Sequence, residues 1–273
     1  MAGRIEVEKV GRVGILRFFN DNRGLMDAGT EAALAPALDA VEQDDAVRAV
    51  ILTGGEPGVF IRHFDLSLLA ERGAVLAARG RMFSLERMVP ETPVHAAFRR
   101  IETSRKPYVC AINGFAMGGG FEIALCCDLR LAEKGDYSIG LPEVNAGLLP
   151  GAGGTQRLPR LIGQAKALEL ILLGRTVDPE AAARIGLVNA CVEAPVLDHA
   201  METAKQLARR SPKAIAHVKH LVRTASLLPL EQGLPPERTL FCDLLSSTDT
   251  IEAMRDIEAT HGDIRKEPAG GGK

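Results

Sequence analysis

The chain contains no tryptophan and only two tyrosines, and aromatic residues make up 4% of its 273 positions. So few rings leave little surface on which nucleic-acid bases could stack. An excess of one charge is missing as well. Thirty-three Lys and Arg against 35 Asp and Glu give a formal charge of -2, which implies no broad basic face and disfavours a nucleic-acid partner. The five cysteines, Cys110, Cys126, Cys127, Cys191 and Cys242, form no CxxC pair and do not alternate with histidines. They read as reduced core thiols in a cytosolic protein, and no metal site is expected. The segment Met1 to Glu6 becomes charged at once and lacks the apolar stretch of a secretory signal, so a cytoplasmic location is expected. Pro107 to Cys127 is long enough to resemble a membrane span, but Asn113, Glu122 and three consecutive glycines would be costly or weakening in lipid. It reads as buried interior, with no membrane partner.

Glycine, by contrast, is plentiful: 28 residues, in a chain with 46% hydrophobic and 25% charged positions and ample length for a core. Ile5 to Phe19 fits two short strands joined by a turn. Leu34, Leu38 and Val41 recur at helical spacing, and Ala46 to Thr53 is a buried strand closed by Gly54-Gly55. A helix is expected near Leu66 to Ala78, and another carries Val94, Phe98 and Ile101 on one face before Pro107 ends it. Tyr108 to Ile112 and Asp128 to Ala132 read as strands flanking a helix entered from Gly118-Gly119-Gly120. Asp178-Pro179 caps a further helix, Gly186 stops it, and Leu187 to Val192 follows as a strand. This alternation predicts an α/β core over residues 1–195. Residues 196–262 show almost only helical periodicity, with Pro229, Pro235 and Pro236 as punctuation, and their apolar faces need the core or another subunit to cover them. Residues 263–273, ending in Glu267 to Lys273, read as a disordered tail. No internal sequence repeat is evident.

The glycine clusters are not nucleotide fingerprints. Neither Gly118-Gly119-Gly120 nor Gly151-Ala152-Gly153-Gly154 completes G-x-G-x-x-G, and no G-x-x-x-x-G-K-[ST], G-x-S-x-G or H-E-x-x-H occurs. A backbone N–H at a loop-to-helix junction is an unpaired donor that can hold an oxyanion, and Glu122 follows such a junction within a turn. A close packing point beside a solvated Glu fits the same residues, and local sequence does not decide between the two. Glu143 lies 21 positions further on, in Leu141-Pro142-Glu143. Two glutamates meeting in an apolar pocket could divide acid and base roles, although two such residues in one region carry little weight alone.

A longer pattern adds weight. Ala111-Ile112-Asn113-Gly114-Phe115-Ala116-Met117-Gly118-Gly119-Gly120-Phe121-Glu122, then Cys127-Asp128-Leu129-Arg130, Leu141-Pro142-Glu143 and Pro150-Gly151-Ala152-Gly153-Gly154-Thr155-Gln156-Arg157-Leu158, resembles the enoyl-CoA hydratase/isomerase (crotonase) family. The similarity is contiguous over about 50 residues and extends weakly from Ile5 to Thr260. It implies a spiral of repeated ββα units, a C-terminal helical region that forms trimers, alone or paired into hexamers, and an acyl-CoA thioester as ligand. No cofactor is bound permanently; CoA enters with the substrate. By the same resemblance, the N–H groups of Phe64 and Gly119 form an oxyanion hole for the thioester oxygen. Glu122 and Glu143 hold the water that adds to a 2-enoyl-CoA, with Glu143 the main proton donor to the α-carbon. Asp65, Gly118, Gly151 and Phe241 border the substrate, Phe241 from the helical region.

The chain departs from the family pattern at Phe60-Ile61-Arg62-His63-Phe64-Asp65, where His63 replaces a glycine. Arg62 is a candidate partner for a CoA phosphate and His63 for the substrate. The other histidines, His95 included, read as surface or helical positions. In the last helix the family's Phe and Lys-Arg positions read Ile257, Thr260 and His261, with Arg265 and Lys266 as substitutes. Isomerisation or hydrolysis of a CoA ester, and silent acyl-CoA binding, are the alternatives to hydration.

Overall fold

The computed structural model describes residues 3–20, 23–80, 82–260 and 262–265. A hairpin of β1 (Arg4–Val10) and β2 (Val13–Phe19) opens the chain, turned at Gly11, whose φ of +60° suits glycine. Next come β3 (Leu25–Met26), α1 (Ala28–Glu42), β4 (Ala49–Gly54), β5 (His63–Phe64), α2 (Leu66–Ala78) and α3 (Pro93–Thr103). The central part holds β6 (Tyr108–Ile112), β7 (Ala116–Met117), α4 (Gly119–Cys126), β8 (Leu129–Glu133) and β9 (Ile139–Gly140). A 3-10 turn over Glu143–Ala146 leads to α5 (Gly154–Ile162), α6 (Gln164–Leu172), β10 (Thr176–Val177), α7 (Pro179–Arg184) and β11 (Ala190–Val192). Four helices end the described chain: α8 (Val196–Arg209), α9 (Pro212–Ala225), α10 (Leu230–Leu245) and α11 (Thr248–Thr260).

The main sheet runs β1-β2-β4-β6-β8-β11, antiparallel at its first pair and parallel thereafter. After β2, β4, β6 and β8 the chain makes a two-residue strand outside that sheet, then a helix or helical turn, which is the ββα spiral that the resemblance implies. Alternate residues of each central strand feed opposite faces. Ile15, Ala49, Ile51, Val109 and Ala111 pack with Ala200, Ala204 and Ala208 of α8. Val50, Leu52, Cys110 and Ile112 face α1, α3 and α4 through Leu34, Leu38, Phe98, Ile101 and Phe121. Alanine at every fourth position lets α8 lie close against the sheet, so the first C-terminal helix closes the core rather than standing off it. The outer helices α9, α10 and α11 keep many of their apolar side chains exposed.

Several boundaries differ from the sequence expectation. α3 ends at Thr103, with Ser104 as its C-cap, not at Pro107. The strand expected from Leu187 begins at Ala190, because the Leu187 N–H turns back to the Ala182 carbonyl at 2.9 Å and completes the end of α7. Pro235 and Pro236 lie inside α10 and not at its ends. Each removes one backbone bond, and the rest of the sixteen-residue helix carries the interruption. Cys110, Cys126 and Cys127 are buried free thiols, Cys191 is half-buried, and Cys242 is exposed, not a core residue. No described helix is long and apolar enough to cross a membrane. His261 and the tail from Lys266 onward fall outside the described residues.

Candidate active site

The spiral brings the ends of β5, β7 and β9 together, and the loops that follow them line a cavity of about 750 Å³. α4 begins at this point because Gly118 takes φ +49°, which favours glycine, and spends its own N–H on the Gly140 carbonyl at 3.0 Å. Gly119 is then the first helical residue, and its N–H has no acceptor within the helix. Phe64 in β5 faces it: a Cβ built on Gly119 would lie 4.0 Å from the Phe64 nitrogen. Gly120 is pressed on the Ile61 carbonyl, which a Cβ would meet at 1.7 Å, so this close approach of helix and loop needs glycine.

One turn into α4, Glu122 is 3% exposed and points to the loop before α5. Its Oε1 accepts the N–H of Ala152 at 2.7 Å and of Gly154 at 2.8 Å. With both donors on one oxygen, Oε2 remains for a ligand. Burial raises the Glu122 pKa against the lowering pull of those two bonds. Glu143, at the start of the 3-10 turn, brings its carboxylate against Gly118, where a Cβ would meet Oε1 at 3.2 Å. Both of its carboxylate oxygens are buried without a hydrogen-bond partner. Burial first, and the Glu122 charge second, push its pKa up to about 7. Two carboxyl groups thus border one cavity, one anchored by backbone and one unanchored and ready to hold a proton.

The loop holding Glu122 is itself fixed from two sides. The Ala152 carbonyl accepts Nη1 of Arg157 at 2.8 Å, and Arg157 is paired with Glu102 at 2.8 Å. The Gly151 carbonyl lies 2.9 Å from Nε2 of His95.

The sequence profile described as Enoyl-CoA hydratase/isomerase matches residues 22–261. The chain belongs to the enoyl-CoA hydratase/isomerase family. It is 34% identical over 251 residues to a short-chain-enoyl-CoA hydratase of Clostridium acetobutylicum, covering 91% of this chain and 92% of that one. Among solved structures, an enoyl-CoA hydratase from Bacillus anthracis superposes with a TM-score of 0.83 at 28% identity, covering 99% and 100% of the two chains. DspI of Pseudomonas aeruginosa does so with a TM-score of 0.81 at 33% identity, covering 97% of this chain and 95% of its own.

In this enoyl-CoA hydratase/isomerase family member, Glu122, Glu143, Phe64, Gly118, Gly119, Gly151 and His63 all border the one cavity. His63 sits there with no positive φ, so replacing the family's glycine causes no backbone strain of that kind. Its Nδ1 lies 2.7 Å from the Phe64 carbonyl. Three expected residues do not line the cavity. Arg62 stacks its guanidinium 4.5 Å over the Phe115 ring, outside the cavity lining. Asp65 caps α2, accepting the Ser67 N–H at 2.8 Å. Phe241 is 61% exposed on α10, which packs on α9 and leaves it away from this cavity. Arg265 at the tail pairs with Asp263. Sequence reading missed His95, expected at a surface or helical position, and Arg157, which stands in the quoted motif but was given no role. Thr92-x-x-His95 was legible as a helix start with a ring on its third position, yet nothing local said that this end meets Gly151.

Proposed function

We propose that this chain is an enoyl-CoA hydratase-like hydro-lyase, adding water across the α,β double bond of a 2-enoyl-CoA thioester. The observation that carries the reading is Glu143, a carboxyl group of raised pKa with two buried, unpartnered oxygens beside Glu122. The N–H groups of Phe64 and Gly119 hold the thioester oxygen, and each such donor contributes about 3 to 4 kcal/mol to the transition state in oxyanion holes. Water lies between Glu122 Oε2 and Glu143. Its oxygen bonds to the β-carbon while the double-bond electrons move toward the thioester as an enolate. Protonated Glu143 gives its proton to the α-carbon, and the proton lost by water restores it, so one water is consumed and both carboxyl groups end as they began. Glu122 orients the water, its other oxygen held by Ala152 and Gly154. No resident cofactor is needed, since CoA arrives and leaves with the acyl group.

The test is an assay of short, medium, long and aromatic enoyl-CoA esters with products identified by mass. The expected product is a 3-hydroxyacyl-CoA, one water heavier than the substrate, and Glu143→Gln abolishes it while acyl-CoA binding stays within about threefold. A shifted double bond, a free acid, or binding with no turnover would overturn the reading. We also propose self-association into trimers or hexamers through α9, α10 and α11, supported by their exposed apolar side chains, and a cytoplasmic location, supported by five free thiols.

A further inference from the structure

His95 is the third residue of α3, and the start of that helix is built around its ring. Thr92 is the N-cap residue, but its hydroxyl makes no cap bond to the helix backbone. It lies instead 2.6 Å from His95 Nδ1. Pro93 at the first helical position has no N–H, so one of the unpaired donors at the helix start is absent. On its other side the ring meets a carbonyl, Gly151 O, at 2.9 Å from Nε2. A carbonyl can only accept, so Nε2 carries the proton, and in the neutral ring Nδ1 accepts the Thr92 hydroxyl.

The Gly151 carbonyl belongs to the same peptide unit as the Ala152 N–H, which donates to Glu122 Oε1 at 2.7 Å. The order is therefore Thr92 O–H, imidazole, one amide plane, Glu122 carboxylate. A bond accepted at the amide oxygen polarises the amide and strengthens the bond its N–H donates. It also sets the tilt of that plane, and hence where Glu122 directs its free oxygen.

We propose that His95 is a positioning residue for Glu122, acting through the single peptide unit between Gly151 and Ala152. This rests on the hydratase reading of the same cavity. His95 lines the same cavity as Glu122 and makes no hydrogen bond to it; through that unit it fixes the direction of the water-holding carboxylate. Arg157 and Glu102 fix the next carbonyl of the loop, Ala152 O, so the imidazole is responsible for the plane that carries the donor.

The experiment compares wild type, His95→Phe, His95→Gln, Glu122→Gln and the Glu122→Gln/His95→Phe double variant on one enoyl-CoA ester. Thermal melting is measured for each. His95→Phe keeps a ring but no donor, and kcat is expected to fall about 10- to 100-fold with KM changed less than about threefold. His95→Gln, whose amide can donate to Gly151 O, recovers most of the loss. In the Glu122→Gln background the Phe substitution costs less than about threefold more, because both changes act on one element. An unchanged kcat in His95→Phe overturns the proposal. So does an equal loss in Phe and Gln variants accompanied by a lower melting temperature, or full additivity in the double variant. Absence of hydration by wild type defeats the hydratase reading instead, which keeps the two failures apart.

Discussion

Glu143 joins function and stability in one side chain. Its pKa is raised to about 7 from 4.5 chiefly by burial. Where a carboxyl pKa is higher in the folded state, the unfolded chain loses its proton first as pH rises. The preference for the folded state that the protonated group gives is thus complete below about pH 4.5 and is lost progressively up to about pH 7. Glu143→Gln removes this dependence. Its melting temperature is expected to exceed that of wild type at pH 8, with the difference shrinking toward pH 4.5; parallel curves over that interval would contradict the assignment. The same proton governs turnover. kcat/KM for hydration is expected to fall as pH rises through about 7, approaching tenfold per unit where the proton donor is being lost, and stopped-flow measurements across pH 5 to 9 check it. The two carboxylates were visible in sequence as Glu122 and Glu143, because their motifs are local. Their environment was not: a raised pKa arises from β5, β7 and β9 converging, which no window of sequence contains. His95 shows this most sharply, since its partner Gly151 lies 56 residues away.

At the level of the element, the start of α4 is tightly constrained. Gly119 and Gly120 are adjacent and both small, yet they are small for different reasons. A methyl on Gly120 would meet the Ile61 carbonyl at 1.7 Å, so loop or helix must move. A methyl on Gly119 would meet Phe64 atoms at 3.8 Å or more, an ordinary contact, but it would stand beside the N–H groups of Phe64 and Gly119 proposed to hold the thioester oxygen. Gly120→Ala is therefore expected to lose about 1 to 3 kcal/mol of folding stability or more, read by urea denaturation. Gly119→Ala is expected to keep the wild-type unfolding midpoint and lose kcat. If Gly120→Ala proved as stable as wild type, the close approach would not be a constraint. The long elements β2, α1, β4, α2, β6, α4 and β8 were legible, each having enough residues for a hydrophobic period or a buried run. The strands β3, β5, β7, β9 and β10 were not. Two residues cannot show an alternation, and these strands exist because neighbouring loops offer them a ladder.

Across the whole molecule, the same short strands explain how a spiral can be present with no sequence repeat. What recurs is an order of connections, and each turn fills its long strand and helix with different residues that meet only the requirement of burial. The spiral leaves exposed apolar side chains on its outer helices. Val222 on α9, Leu230 and Phe241 on α10 and Met254 on α11 are between 44% and 73% exposed, and Leu227 in the α9–α10 turn is 63% exposed. Exposed apolar side chains that recur along consecutive helices are what an association surface requires. α8 already closes the sheet from behind, and among the described residues no further element covers these side chains. In the proposed assembly a second and third copy would cover them, and closed cyclic symmetry would limit that assembly to a defined size. Light scattering after size exclusion is expected to give three or six times 29.2 kDa at micromolar concentration. Val222→Asp combined with Leu230→Asp places charges among those side chains and is expected to lower the mass to one copy, with the far-ultraviolet circular dichroism of the core retained. A wild-type mass of 29.2 kDa at those concentrations would rule out self-association as the means by which these side chains are covered.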